Sequence, residues 1–309
     1  MITDAILRYS LGSKPLRIPS AFLYDELGSA LFDAITLLPE YPLSRIGLRL
    51  LQDSLPELVE LASNRVIELG PGSGKLSSVL LSGFAARRQN VEFTAVDISD
   101  YALRNCQRAL QHIEWVQMQA IHADYITGLR QAVALGKSGE RNLVLFLGSN
   151  LANFDPYEAA AFLKEMRQVM NEGDALVLAV DLEKDPGALI RAYDDSLGVT
   201  AAFNKNVLVR LNRHWQANFP LDAFVHKSLW NADHRRIEMH LFATMDCTVT
   251  IPRLQRTLQI RSGESLWTES SYRFSVSEIA DWATAARFRI ARQWVDPDWP
   301  FVQLLLIGR

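Results

Sequence analysis

An α/β fold with a Rossmann-like parallel sheet, interrupted by a second unit, is predicted by three observations. Val66-Ile67-Glu68-Leu69-Gly70-Pro71-Gly72-Ser73-Gly74-Lys75, followed by Val91-Glu92-Phe93-Thr94-Ala95-Val96-Asp97, reads as strand, glycine turn, helix and a second strand ending in a carboxylate. Apolar runs and amphipathic stretches then alternate as far as residue 180, with Leu143-Val144-Leu145-Phe146-Leu147 lacking any polar member, as a strand covered on both faces does. From residue 187 the pattern changes, and it returns only near residue 275.

Each element follows from its local pattern. A helix over 101–110, a strand over 114–120, the strand over 143–147, a helix over 156–170 and a strand over 175–180 continue the alternation, which implies right-handed crossovers and a ligand at the carboxyl ends of the strands. Helical periodicity runs through 187–210, and 224–267 alternates like antiparallel strands, as in Arg236-Ile237-Glu238-Met239-His240-Leu241. The chain closes with a helix over 275–286, a strand over 288–294, a turn at Asp296-Pro297-Asp298 and a strand over 301–307. Such a terminal hairpin completes the seven-stranded mixed sheet of class I methyltransferases, and dehydrogenases usually lack it. The expected division is a core of 46–186 and 272–309 with an inserted α+β unit of 1–45 and 187–271 that binds substrate.

The glycine turn reads as a nucleotide cradle, because without a Cβ the backbone passes close to a ligand and positive φ is open to it. Asp97, where the second strand runs out, is placed to accept from both hydroxyls of a ribose. The spacing Gly-x-Gly-x-Gly lacks the third glycine of a pyrophosphate-binding turn. S-adenosyl-L-methionine carries no phosphate and tolerates that loss, so it is favoured over NAD, with a ligand-free structural turn as the third reading. Glu68 stands where class I methyltransferases often carry an acid.

Composition narrows the function classes. The 309 residues suffice for one large α/β domain with an insertion, and 32 basic against 35 acidic residues give a net charge of −3, which encodes no general attraction to nucleic acid or an anionic membrane. No apolar run approaches the roughly 20 residues of a membrane span, and the chain opens on Met1-Ile2-Thr3-Asp4 without a basic leader. Cys106 and Cys247 have no companions at metal-ligand spacing and read as buried thiols of a reducing cytoplasm; the six histidines show no such spacing either. A soluble cytoplasmic monomer acting on a small neutral or zwitterionic molecule, without a metal, is the expectation.

Several long segments are similar to the histidine Nα-methyltransferases of ergothioneine biosynthesis, which make hercynine from histidine. They are Phe22-Leu23-Tyr24-Asp25-Glu26-Leu27-Gly28-Ser29 with Leu38-Pro39-Glu40-Tyr41-Pro42; Phe146-Leu147-Gly148-Ser149-Asn150-Leu151-Ala152-Asn153; Asp181-Leu182-Glu183-Lys184-Asp185-Pro186 with 192–204; and Thr268-Glu269-Ser270-Ser271-Tyr272-Arg273-Phe274. The resemblance spans almost the whole chain. At Asn150 and Ala152 the family more often carries Thr and Gly, a departure that bears on the floor under the substrate amine.

The resemblance implies Nα-trimethylation of histidine with S-adenosyl-L-methionine as donor, and it assigns residues. Gly148, Asn153 and Tyr193 would hold the substrate, the last two through its carboxylate; Tyr24 and Tyr41 would lie near the amine, Glu269 and Ser271 would bind the imidazole, and Met239 would line its ring. Tyr24 and Asn153 are the candidates closest to the chemistry. Glu68, Gly70, Gly72, Lys75 and Asp97 would serve the cofactor, with Asp124 and Tyr125 framing its adenine. Plainer roles stand beside these: Asn153 as a helix cap before Pro156, Tyr24 and Tyr41 as packing, Glu269 as a solvated charge, Met239 as core and Asp124 as a cap. The competing functions are N-methylation of another amino acid, an NAD-dependent oxidoreductase, and a catalytically silent binding module.

Overall fold

The computed structural model describes residues 4–61, 64–87, 90–137 and 139–309. Its elements in chain order are α1 (Asp4–Ser10), β1 (Leu16–Arg17), α2 (Glu26–Ile35), α3 (Leu43–Glu60), β2 (Arg65–Leu69), α4 (Lys75–Ala86), β3 (Val91–Asp97), α5 (Asp100–Leu110), β4 (Val116–His122), α6 (Tyr125–Ala134) and β5 (Asn142–Phe146). They continue as α7 (Pro156–Val169), β6 (Ala175–Asp181), α8 (Pro186–Tyr193), α9 (Val199–His214), β7 (Phe224–Asn231), β8 (Arg236–Ala243), β9 (Cys247–Ile251), β10 (Arg256–Ile260), β11 (Ser265–Tyr272), α10 (Val276–Ala285), β12 (Phe288–Asp296) and β13 (Phe301–Gly308). Two compact units result: the residues up to Pro42 with Asp185–Ser271, and Leu43–Lys184 with Tyr272–Arg309.

The second unit holds a seven-stranded sheet of order β12-β13-β6-β5-β2-β3-β4. β13 runs antiparallel to both of its neighbours, β12 and β6, whereas the β2, β3, β4, β5 and β6 pairings are parallel. Every residue of β2, β5 and β6 is buried, which is why β5 and β6 read as apolar runs broken only at their ends, by Asn142 and Asp181, while β2 also buries Arg65 and Glu68. Ile67, Leu69, Val96, Val144, Phe146 and Leu178 of the strands share a core with Leu163 and Met166 of α7 and Ile279 of α10. Both of those helices begin on a capping box, Asp155 with Glu158 and Ser275 with Glu278, which satisfies otherwise unpaired backbone N–H groups.

In the first unit β1, β11, β8 and β7 form one sheet, and β9 pairs with β10 in a separate ribbon. α8 and α9 pack on β7 and β8. The helical stretch expected over 187–210 is two helices: α8 ends at Tyr193, Asp195 accepts from the N–H groups of Val199 and Thr200, and Gly198 (φ 73°) starts α9 in a left-handed conformation. No helix of the described residues is long and apolar enough to cross a membrane. Cys106 is buried, but Cys247 is only half-buried, a correction to the expectation of two buried thiols.

Candidate active site

The cradle of the second unit is built where the strands end. Gly70 follows β2 with φ 72° and donates to Val96 O at 2.8 Å, tying the turn to β3. Gly72 (φ 55°) has no atom within 4 Å of the place a Cβ would take, so open space lies over its backbone where a ligand must run. Gly74 serves packing instead: a Cβ there would come within 3.0 Å of the Cys106 backbone and thiol, so this glycine lets α5 approach the start of α4.

Asp97 ends β3. Its Oδ1 accepts from Ser99 N at 2.8 Å, and the backbone N–H of Gly72 also donates to the carboxylate. Burial nevertheless outweighs these backbone donors and pushes its pKa up to about 6. Hydroxyl groups donating to it would favour its charged form. Glu68 is 2% exposed, and Ser77 Oγ of α4 donates to its Oε2 at 2.5 Å, while burial raises it to about 7. Glu68 therefore clamps the strand to the helix that follows the turn. Lys75, the first residue of α4, is exposed.

Asp124 caps α6 by accepting from Thr127 N at 2.9 Å, so the plainer reading holds for one of its oxygens. The Tyr125 ring packs edge-on against Phe146 and Phe162 at 5.1 and 6.0 Å, and its hydroxyl comes within 3.3 Å of the place a Gly70 Cβ would take. Asn150 Nδ2 reaches the same place at 3.0 Å. These features fit a nucleoside carrying a flexible, uncharged-to-cationic tail: an acid for its hydroxyls, open backbone beneath it, and neutral polar groups beside it.

After β5 the chain places Gly148 (φ 74°) and Ser149 (φ 62°) consecutively in left-handed conformation and enters the 3₁₀ turn Asn150–Asn153. A non-glycine residue in that region is costly, by about 1 kcal/mol or more. Ser149 is held there because its Oγ accepts from Asp181 N at 2.8 Å and its carbonyl accepts from Ala152 N at 3.0 Å. Asn153 is exposed, and the cap of α7 is Asp155, which removes the capping role expected for Asn153. Beneath this loop Asp181, fully buried, accepts from Trp299 Nε1 at 2.9 Å and from Lys184, and it pairs with buried Arg273 Nε at 3.0 Å, an approach angled outside hydrogen-bond geometry. Burial lowers the Lys184 ammonium to about 8 despite the Asp181 carboxylate beside it.

In the first unit the polar candidates gather on α8 and β11. The Tyr193 hydroxyl and Ser271 Oγ share a hydrogen bond of 2.8 Å. Tyr193 is fixed by its own carbonyl, which accepts from Ser228 Oγ at 2.6 Å and His226 Nε2 at 2.9 Å; Asn204 Nδ2 occupies the other imidazole nitrogen. Sequence reasoning missed His226 and Ser228, whose i, i+2 spacing on a strand shows only as alternation. Tyr24, Phe32, Tyr41, Tyr193 and Phe203 form a chain of aromatic contacts with ring centroids 5.5 to 6.2 Å apart. The packing role expected for Tyr24 and Tyr41 is thus real for their rings.

Glu269 is the outlier. Its plainer reading as a solvated charge is wrong: it is 8% exposed, and no group among the described residues donates to its carboxylate. Burial alone pushes its pKa up to about 7. Its backbone carbonyl is fixed by Trp267 Nε1 at 2.8 Å, and Thr268 Oγ1 donates to Met239 O at 2.9 Å, locking β11 to β8. Met239 itself is buried at 1% exposure. A buried carboxylate without a donor is expensive unless a ligand supplies one.

A seven-stranded sheet whose β13 alone is reversed, with a glycine turn at its switch point and an acid ending the next strand, defines a class I methyltransferase. Over residues 3–307 the chain matches the model of the histidine-specific, SAM-dependent methyltransferases, and it belongs to that family. It is 36% identical to the histidine N-alpha-methyltransferase of Mycolicibacterium smegmatis, covering 94% of this chain and 90% of that protein. The protein of the same name from Mycobacterium tuberculosis is 35% identical over 93% of this chain and 88% of its own length. Ergothioneine biosynthesis protein 1 of Schizosaccharomyces pombe is 29% identical over 91% of this chain, which spans only 37% of that longer protein.

Proposed function

We propose that this protein transfers three methyl groups from S-adenosyl-L-methionine to the α-amine of L-histidine, giving hercynine for ergothioneine synthesis. The observation that carries the acceptor is Glu269: buried, without a donor, and two residues from Ser271 on one strand. An imidazole supplies an N–H to the carboxylate and a second nitrogen to a hydroxyl, whereas an apolar ring would leave Glu269 unpaired. In the same reading Asn153 and Tyr193 donate to the α-carboxylate, Gly148 offers backbone, Met239 borders the ring, and Tyr24 and Tyr41 stand by the amine.

The cofactor, when bound, supplies an activated methyl group on a sulfonium. Asp97 accepts from its ribose, Gly70 and Gly72 admit it through the backbone, Asp124 and Tyr125 flank its adenine, Lys75 lies at the head of α4, and Glu68 acts on the turn through Ser77 rather than on the ligand. Transfer is an in-line displacement, so positioning of a neutral amine supplies most of the acceleration. The tyrosine hydroxyls of Tyr24 and Tyr41 offer acceptors for the departing amine proton.

The test is the product: mass spectrometry is expected to show histidine gaining three methyl groups on the α-nitrogen with the ring nitrogens unmodified, and ring methylation would overturn the assigned orientation. For the donor, Asp97→Ala is expected to weaken S-adenosylhomocysteine binding by about 1.5–3 kcal/mol, the scale of a hydrogen bond to a charged group. Calorimetric titration checks it, and unchanged affinity would remove Asp97 from the cradle.

A further inference from the structure

Asn150 stands between two left-handed glycines at the carboxyl ends of neighbouring strands, Gly70 and Gly148. β2 is flanked by β3 on one side and β5 on the other, so the chain reverses its direction of travel across the sheet between β2 and β5. A crevice opens at such a switch point, outside the carboxyl ends of the strands. Gly70 closes β2 and Gly148 closes β5, both with positive φ. The Asn150 carboxamide lies between them: Nδ2 is 3.0 Å from the place a Gly70 Cβ would take, and Oδ1 and Nδ2 are 3.8 and 3.9 Å from that of Gly148. Asn150 is half-buried, and its amide has no hydrogen-bond partner among the described residues.

The strand ends also fix what should lie there. Along the sheet edge they follow one another as β4, β3, β2 and β5, about 4.8 Å apart. With the adenine at Asp124 after β4 and the ribose at Asp97 after β3, the rest of the donor falls over β2 and β5. That remainder is the sulfonium with its α-amino-acid end, a carboxylate and an ammonium on one carbon. A carboxamide offers two donors and one acceptor on a planar head, which can meet both charges while placing no cation or anion beside the sulfonium.

We propose that Asn150 binds the amino-acid end of S-adenosylmethionine, Nδ2 donating to the α-carboxylate and Oδ1 accepting from the α-ammonium. The proposal rests on the cofactor placement given above. It also reassigns Asn150 from the floor under the acceptor amine to the donor side of the crevice.

Titration calorimetry with two ligands tests it: S-adenosylhomocysteine, which has the amino-acid end, and 5′-methylthioadenosine, which lacks it. Asn150→Ala is expected to raise the Kd of the first at least about tenfold, since hydrogen bonds to two charged groups are lost, and to leave the second unchanged. Asn150→Asp should weaken the first further, since carboxylate then faces carboxylate. Retained 5′-methylthioadenosine binding also shows that the variant is folded. Equal losses for both ligands, or unchanged S-adenosylhomocysteine affinity with a raised KM for histidine, would overturn the assignment. Asp97→Ala separates the two levels of the reading: it should weaken both ligands, and if it weakens neither, the cofactor placement fails and the Asn150 proposal falls with it.

Discussion

Glu269→Ala is expected to lower kcat/KM for histidine by about 2–4 kcal/mol, roughly 30- to 1000-fold, through the lost charged hydrogen bond and the orientation it fixes. Cofactor affinity should be nearly unchanged, because Glu269 lies on β11 of the first unit and the cradle is built from the second. The gap between histidine and phenylalanine should narrow as well, since removing the carboxylate abolishes the cost of burying it beside an apolar ring. Parallel kinetics for histidine, tryptophan and phenylalanine on both proteins decide the matter. Wild-type activity and selectivity in the variant would make Glu269 a structural carboxylate and take away the physical basis of acceptor choice.

The same residue sets a pH dependence. Burial pushes Glu269 up to about 7, so the folded, ligand-free protein binds a proton there that the unfolded chain does not. Its contribution to stability is fullest below the ordinary carboxylate range and is lost as the pH rises through about 7. For binding the sign is opposite. Below about pH 6 both Glu269 and free histidine are protonated, and one proton must leave before carboxylate and imidazolium can pair. KM for histidine should therefore rise by up to about tenfold per pH unit on that side. Glu269→Gln should lack this limb, and a variant that keeps it would place the titration elsewhere.

What the sequence disclosed and what it hid divide along physical lines. β5 was legible because a parallel strand covered on both faces reads as an apolar run, as Leu143, Val144, Leu145 and Phe146 do. The terminal hairpin was legible from the largely apolar run of β13, antiparallel but buried along nearly its whole length, although β12 runs on to Asp296. β1 left no local signal: two residues, Leu16 and Arg17, become a strand only by pairing in parallel with Leu266 and Trp267. The break at 194–198 was hidden because apolar periodicity continues on both sides of it, and what stops α8 is a tertiary capture of the Tyr193 carbonyl. Glu269 was the hardest to read, since its neighbours Thr268, Ser270 and Ser271 suggest water. Three of these four are in fact buried, and Thr268 spends its hydroxyl on Met239 O. The run Asp181-Leu182-Glu183-Lys184 stood out in sequence without a role, which the structure supplies in the carboxylate that gathers Lys184, Trp299 and Arg273.

That carboxylate gives the largest stability effect expected here. Asp181→Ala should destabilise the protein by about 3–5 kcal/mol, the cost of leaving a buried charge uncompensated. The burden falls on Arg273, whose side chain is 0% exposed and whose guanidinium cannot shed its proton. Lys184 adds less, because burial already lowers its ammonium to about 8 and it can neutralise instead. The measurement is the shift of the urea midpoint at unchanged slope. Combining Asp181→Leu with Arg273→Met removes both charges and should cost clearly less than Asp181→Leu alone, since an apolar pair of similar volume often replaces a buried ion pair without loss. The bond from Asp181 N to Ser149 Oγ uses the backbone N–H of Asp181 and survives every one of these substitutions. A loss below about 1 kcal/mol for Asp181→Ala would mean that Arg273 finds another partner and that the buried ion pair is not what holds this part of the unit together.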